Sequence, residues 1–260
     1  MPVSAIDLNS DVGESFGNYK LGMDADVIPL ISSANIACGY HAGDPAVMRQ
    51  TVALARKHGV ALGAHPGLPD LVGFGRRSMD VTLEEIRDFV TYQIGALQAT
   101  AALQGERLQH VKPHGALYNM AARNPAIWDA VAEVMAKLDA RLILFVMAAA
   151  DRPELEAIGR RRGIRIAFEF FADRAYNSDG SLVSRKLAGA VIHDNDAVAA
   201  KVLKFVKEGK VHTIEGSEIV LKAETICVHG DNPKALALVK KIRETLKTAG
   251  VAVKPPAEFL

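Results

Sequence analysis

AIDLNSDVGE, Ala5 to Glu14, begins as an apolar run suited to a strand and stops at Asn9, Asp11 and Glu14, residues that can do chemistry. The same pattern recurs in SSANIACGYHAGD (Ser32 to Asp44), ALGAHPGLPD (Ala61 to Asp70), HVKPHGALY (His110 to Tyr118), LILFVM (Leu142 to Met147), AFEFFADRAY (Ala167 to Tyr176) and ICVHGDN (Ile226 to Asn232). Six of these seven runs stop at His, Asp, Glu, Lys or Arg. In a barrel of parallel strands wrapped by helices, the carboxyl ends of all strands open on one mouth, so residues far apart in sequence share a pocket. A chain written this way reads as an α/β barrel enzyme.

The segments between the runs have helical spacing of apolar residues, as βα units require. Asp44 can cap a helix that starts at Pro45, continues through AVMRQTVALARKHG and closes at Gly59. Thr82 and Glu85 make a capping box for a helix running through YQIGALQATAALQG to Gly105. Asn124-Pro125 and Asn232-Pro233 open two more. Right-handed crossovers of this kind join parallel strands. The exception is Asp179 to Leu221, where DGSLVSR and VHTIEGSEIVL place turn residues between β-rich runs, so a hairpin-like or decorated insertion near 179–221 is expected before the last strand.

At 260 residues, 49% apolar and 23% charged, the chain is long enough for a single barrel domain over 1–260, and no linker divides it. Its 31 basic and 30 acidic residues leave a formal charge of +1, which gives no electrostatic footprint for nucleic acid or an anionic membrane and points to a small-molecule substrate. The start, MPVSAIDLNSD, lacks the features of a signal peptide, and no apolar run approaches the roughly 20 residues of a membrane span. Cys38 and Cys227 make no disulfide framework, so a cytoplasmic setting is expected. No G-x-x-x-x-G-K-[ST] loop is present, and GESFGNYK (Gly13 to Lys20) only approximates one.

Strand parity gathers the candidates. Asp7, Asn9 and Asp11 share one face; so do Lys112 and His114, then Glu169, Phe171 and Asp173, and Cys227, His229 and Asp231. Polar groups turned into a barrel must bond to one another, to a ligand or to water, so the set is either a satisfied packing network or a catalytic pocket. His65 ends a strand between small residues that admit a substrate. Cys38 and His41, in C-G-Y-H, lack the partner pair of a structural zinc site, and Cys38 reads as a small core residue. A divalent metal held by Asp11, His41 and His65 is one arrangement the residue types allow. In Lys112-Pro113-His114-Gly115, proline presents a lysine and a histidine rigidly at a strand end. Lys112 can polarise a carbonyl or pair with Asp7, Asp11 or Glu169, and Asp173-Arg174 combines a base with a carboxylate clamp. The glycine-rich GYHAGD and GFGRR should offer backbone amides to an anion.

These blocks, with DLNSDVGESFG, GAHPGLPD, YQIGAL, FEFFADRAY, DGSLVSR and ICVHGDN, resemble the signature blocks of the LamB/YcsF family, in order from Ile6 to about Val251. The resemblance implies an irregular, seven-stranded TIM-like (β/α) barrel of the glycoside hydrolase/deacetylase type. It also implies one component of an ATP-dependent 5-oxoprolinase, which opens 5-oxo-L-proline (pyroglutamate) to L-glutamate together with partner subunits B and C. Position by position, the family pocket would comprise Asp7, Asn9, Asp11, Glu14, His41, Asp44, His65, Lys112, His114, Glu169, Asp173, Arg174, His229 and Asp231. Ser184 stands where proline is expected after DGSLV, and Ala175 where glycine is common; both touch loop geometry and remove no chemical group. The mechanism this suggests has Asp11 or Glu169, aided by His65 or His114, activating water, while Lys112 and Arg174 hold developing charge. Two other readings stay open: a metal-dependent deacetylase or amidohydrolase acting on a small amide or acetylated sugar, and a non-catalytic component that regulates its partners.

Overall fold

Ala5–Val12 forms the first strand, β1, and buries Ile6 and Leu8 among helices while Asp7 and Asn9 face the opposite way into the barrel, the alternation expected from strand parity. The computed structural model describes residues 3–148, 152–228 and 233–260. Beyond β1 the chain alternates between α1 (Asp24–Val27), β2 (Ser33–Ala37), α2 (Pro45–Lys57), β3 (Ala61–His65), α3 (Leu83–Ala102) and β4 (Leu108–Val111). It continues with α4 (Gly115–Ala121), α5 (Pro125–Asp139), β5 (Ile143–Met147), α6 (Arg152–Arg162), β6 (Arg165–Phe171) and α7 (Asn195–Glu208). The last part holds β7 (Lys210–His212), β8 (Glu218–Val220), β9 (Thr225–Cys227), α8 (Pro233–Thr248) and β10 (Ala252–Val253).

Strands β1 to β6 pair in sequence order and in parallel, and β9 pairs with both β6 and β1, closing a seven-stranded parallel barrel. β1 changes partner on its closing edge: Ala5 and Ile6 pair with β10, and Asp7 to Asn9 pair with β9. β9 is only three residues long, so closure rests on a short strand shared between two neighbours. The main apolar core lies between the strands and the helices. Ile143, Phe145 and Ala167 form a small separate cluster inside the barrel, where Phe145 stacks on His110 with ring centroids 4.2 Å apart.

The local signals work as their chemistry requires. Asp44 accepts hydrogen bonds from the amides of Ala46 and Val47 at the start of α2. The Thr82 hydroxyl and the Glu85 carboxylate exchange bonds with each other's backbone amides at the start of α3. The insertion is more than a hairpin. The antiparallel pair β7 and β8 occupies only Lys210 to Val220, and ahead of it runs the 14-residue helix α7, capped by Asp194 and ended by Gly209 in the left-handed conformation. The β-rich runs on either side of that helix mask it in the sequence. Tyr176, fully buried, bridges to Leu182 and Thr213 and ties the segment to the barrel. Among the described residues, no helix is long and apolar enough to cross a membrane.

Candidate active site

The alternate residues of β1 form a polar ladder along the barrel axis. At its floor, Asp7 accepts hydrogen bonds from the hydroxyls of Ser32 (2.6 Å), Ser33 (2.7 Å) and Thr225 (2.5 Å). Burial outweighs these bonds and raises the Asp7 carboxyl from its ordinary 3.8 to about 6. One step up, Asn9 donates to Glu169 (3.0 Å) and Thr225 (2.7 Å) and accepts from Asn35 (2.7 Å). Asn35 also donates to Asp11 (2.8 Å) and accepts from Nε2 of His110 (2.8 Å), which is held neutral by burial with its pKa lowered to about 3.

At the centre, the Lys112 ammonium lies 2.8 Å from Glu169 and 3.0 Å from Asp11, with Asn9 Oδ1 at 3.2 Å and the Cys227 sulfur at 3.3 Å. Burial pulls this ammonium toward neutrality, but the Asp11 and Glu169 carboxylates overcome the penalty and hold its pKa well above the ordinary lysine value. The Tyr118 hydroxyl donates to the second oxygen of Glu169 (2.9 Å). Glu169 is therefore enclosed and saturated, whereas the Asp11 side chain keeps 20% of its surface exposed.

Asp11 borders three histidines. Its Oδ2 is 3.3 Å from Nε2 of His65, which lies 2.9 Å from Nδ1 of His114; the His114 ring stacks face to face on His41 with centroids 3.7 Å apart. Glu14 completes the group, and Glu14, His41, His65 and His114 offer ligand-type atoms that all lie within 4.8 Å of one another. Glycines make room for it. A Cβ on Gly67 would sit 2.7 Å from His41 Nδ1, and one on Gly75, whose φ is +63°, would sit 2.6 Å from the His41 Cβ. Buried Gln93, from the YQIGAL block, clamps Gly67 through both its amide and its carbonyl.

The remaining candidates have other surroundings. Asp44 spends one carboxylate oxygen on the helix cap and the other on the Gly17 amide (2.8 Å). The Arg174 guanidinium donates to the carbonyls of Ala190 (3.2 Å) and Val183 (2.6 Å) and so holds the insertion rather than facing the histidines. Asp173 acts electrostatically on Arg174, Lys201 and Cys227. His229 and Asp231 lie outside the described residues. The expected anion cradle in GFGRR is not formed: the amides of Gly73, Phe74, Gly75, Arg76 and Arg77 all bond within the loop, mostly to Asp70. What the loop offers instead is the Phe74 carbonyl, which receives Nε2 of His114 (2.8 Å). The Cys38 thiol is buried and pushed up to about 12, which suits a core residue. Asn35, His110, Tyr118 and Thr225 join the site without having been marked by the sequence. For His110 a signal exists, since it shares strand parity with Lys112 and His114.

The LamB/YcsF family model matches residues 6–260. The 5-oxoprolinase A-subunit of Alkaliphilus metalliredigens is 56% identical over 241 residues, covering 93% of each chain. That of Bacillus subtilis is 54% identical over 248 residues, covering 95% of each. The crystal structure of the lactam utilization protein from Thermus thermophilus superposes with a TM-score of 0.90 at 44% identity, covering 96% of this chain and 99% of the other. With an interior ladder built from the same blocks that carried the resemblance, this chain belongs to the LamB/YcsF family.

Proposed function

We propose that the chain is the hydrolytic component of a 5-oxoprolinase and completes an ATP-dependent opening of 5-oxo-L-proline to L-glutamate. Relatives named as 5-oxoprolinase A-subunits that cover nearly its whole length support this reading over a deacetylase. The observation that carries the chemistry is the unequal carboxylate pair on Lys112: Glu169 is sealed in the barrel, while Asp11 keeps part of its surface toward the mouth.

A five-membered lactam is a resonance-stabilised amide, and phosphorylating its oxygen with ATP makes the ring carbon electrophilic. We assign that step to partner subunits B and C. Water then adds to the activated ring carbon in the pocket, with Asp11 as the base that takes its proton. The ring C–N bond breaks as nitrogen gains a proton, and a second water releases phosphate to leave L-glutamate. Lys112, 3.0 Å from Asp11, orients it, and Glu169, fixed by Tyr118 and Asn9, balances the lysine. Two buried cysteines without a disulfide and a need for ATP suit the cytoplasm. The test is to incubate the purified chain with ATP and 5-oxoproline, with and without subunits B and C, and to measure glutamate alongside ADP. Glutamate formed only in the complete mixture supports the reading; none from folded, associated subunits overturns it.

A further inference from the structure

Two of the histidines at the mouth are locked in tautomers that turn their lone pairs toward each other. A backbone carbonyl only accepts hydrogen bonds, so Nδ1 of His65, 2.6 Å from the Lys112 carbonyl, must carry a proton, as must Nε2 of His114, 2.8 Å from the Phe74 carbonyl. In neutral rings the opposite nitrogens, His65 Nε2 and His114 Nδ1, then carry lone pairs, and they stand 2.9 Å apart. Neither can donate to the other, so the contact is repulsive unless a cation is shared between them.

The surroundings supply further electron pairs. Glu14 Oε1 lies 3.5 Å from His41 Nε2 and 3.8 Å from His114 Nδ1, and Asp11 Oδ2 lies 3.3 Å from His65 Nε2. His41 is wholly buried, and neither of its ring nitrogens has a hydrogen-bond partner among the described residues. A buried polar ring without a hydrogen bond is costly unless it meets a ligand. Carbonyl anchoring of the far nitrogen is also how proteins fix the tautomer of a metal-binding histidine.

From this convergence we propose that Glu14, His41, His65 and His114 form a site for a divalent transition metal with borderline-soft character, Zn2+ or a close neighbour. Three imidazoles and one carboxylate match that class and not Mg2+ or Ca2+, which take oxygen ligands. The sequence-level set of Asp11, His41 and His65 thus gains His114 and Glu14, while Asp11 stands beside the cation. A ring nitrogen holds its metal in the ring plane, so the parallel stack of His41 on His114 must open on loading. His41, with no hydrogen bond to break, is the ring that turns. A cation there lowers the proton affinity of water next to Asp11. Its part in turnover rests on the hydrolytic reading above; its existence does not.

The test is direct metal uptake by the full chain. Protein stripped with a strong chelator is titrated with Zn2+ against a chromophoric competitor and with Co2+ by its visible absorption. About one ion per chain is expected, weakened at least ~10-fold by Glu14→Gln, His41→Asn or His65→Asn, since losing a ligand costs no less than losing an outer-shell partner. Circular dichroism confirms that each variant is folded, and the partly exposed Glu14 provides a substitution outside the core. Folded protein that takes up neither ion, or binds them equally well in Glu14→Gln and His41→Asn, overturns the site and leaves the lone-pair contact to a shared proton. Uptake without glutamate formation supports the site and counts only against the reaction.

Discussion

Lys112 is the side chain on which the interior depends most, because its charge is what lets two carboxylates share a space of low polarity. Removing one partner of a buried pair leaves the other charge unpaired, so Lys112→Met should cost ~3–5 kcal/mol in urea unfolding. Adding Glu169→Gln should restore part of that; a single variant as stable as the parent would refute the pairing. Asp11 is predicted to matter for turnover and little for folding. Asp11→Asn should lower glutamate formation by the complete complex at least ~100-fold with the circular dichroism spectrum unchanged. Asp7 gives a pH signature. Its folded pKa of about 6 lies above the ordinary 3.8, so the folded state holds its proton more tightly than the unfolded chain. The stability it contributes is complete below the unfolded value and is lost as pH rises through about 6. Stability relative to Asp7→Asn should therefore fall across that window, and a pH-independent difference would show that Asp7 does not titrate there.

Among the elements, the long loop between β3 and α3, residues 66–82, does the most positioning. Asp70 gathers the loop amides and the Arg77 guanidinium, which leaves the Phe74 carbonyl free to fix His114 and Gly75 free to pass against His41. Gly75→Ala combines a left-handed backbone with a Cβ placed 2.9 Å from the His114 ring. We expect it to displace the histidines, with Zn2+ uptake and glutamate formation both lost while the barrel still unfolds cooperatively. Retained uptake would mean that the loop yields instead. At this scale the helix starts are legible in the sequence, because caps such as Asp44 and Thr82 act within one turn of chain. Helix α7 is not, because its apolar spacing sits between runs whose composition favours strands, and it is held by tertiary contacts of Lys201 with the Phe171 carbonyl and the Tyr176 ring.

The whole molecule depends on a closure that its shortest barrel strand makes. Without β9, both β1 and β6 would present unpaired edges. A chain ending at Glu224 should therefore aggregate or fail to unfold cooperatively by size-exclusion chromatography and calorimetry, and a stable monomer would show that closure is dispensable. Interactions that act over a few residues are written in the chain: where each strand stops, which face Asp7, Asn9 and Asp11 share, and where helices α2 and α3 start. Tertiary structure alone decided the partners. It gave Arg174 to the insertion and the second Asp44 oxygen to the Gly17 amide, set Asn35, His110 and Tyr118 among the charges, and joined His114 and Glu14 to His41 and His65. The physical reason is that strand parity selects a face but not the neighbours across it. Which hydrogen-bonding groups are already satisfied, and which still need a ligand, is settled only when the seven strands close and burial removes water from all of them at once.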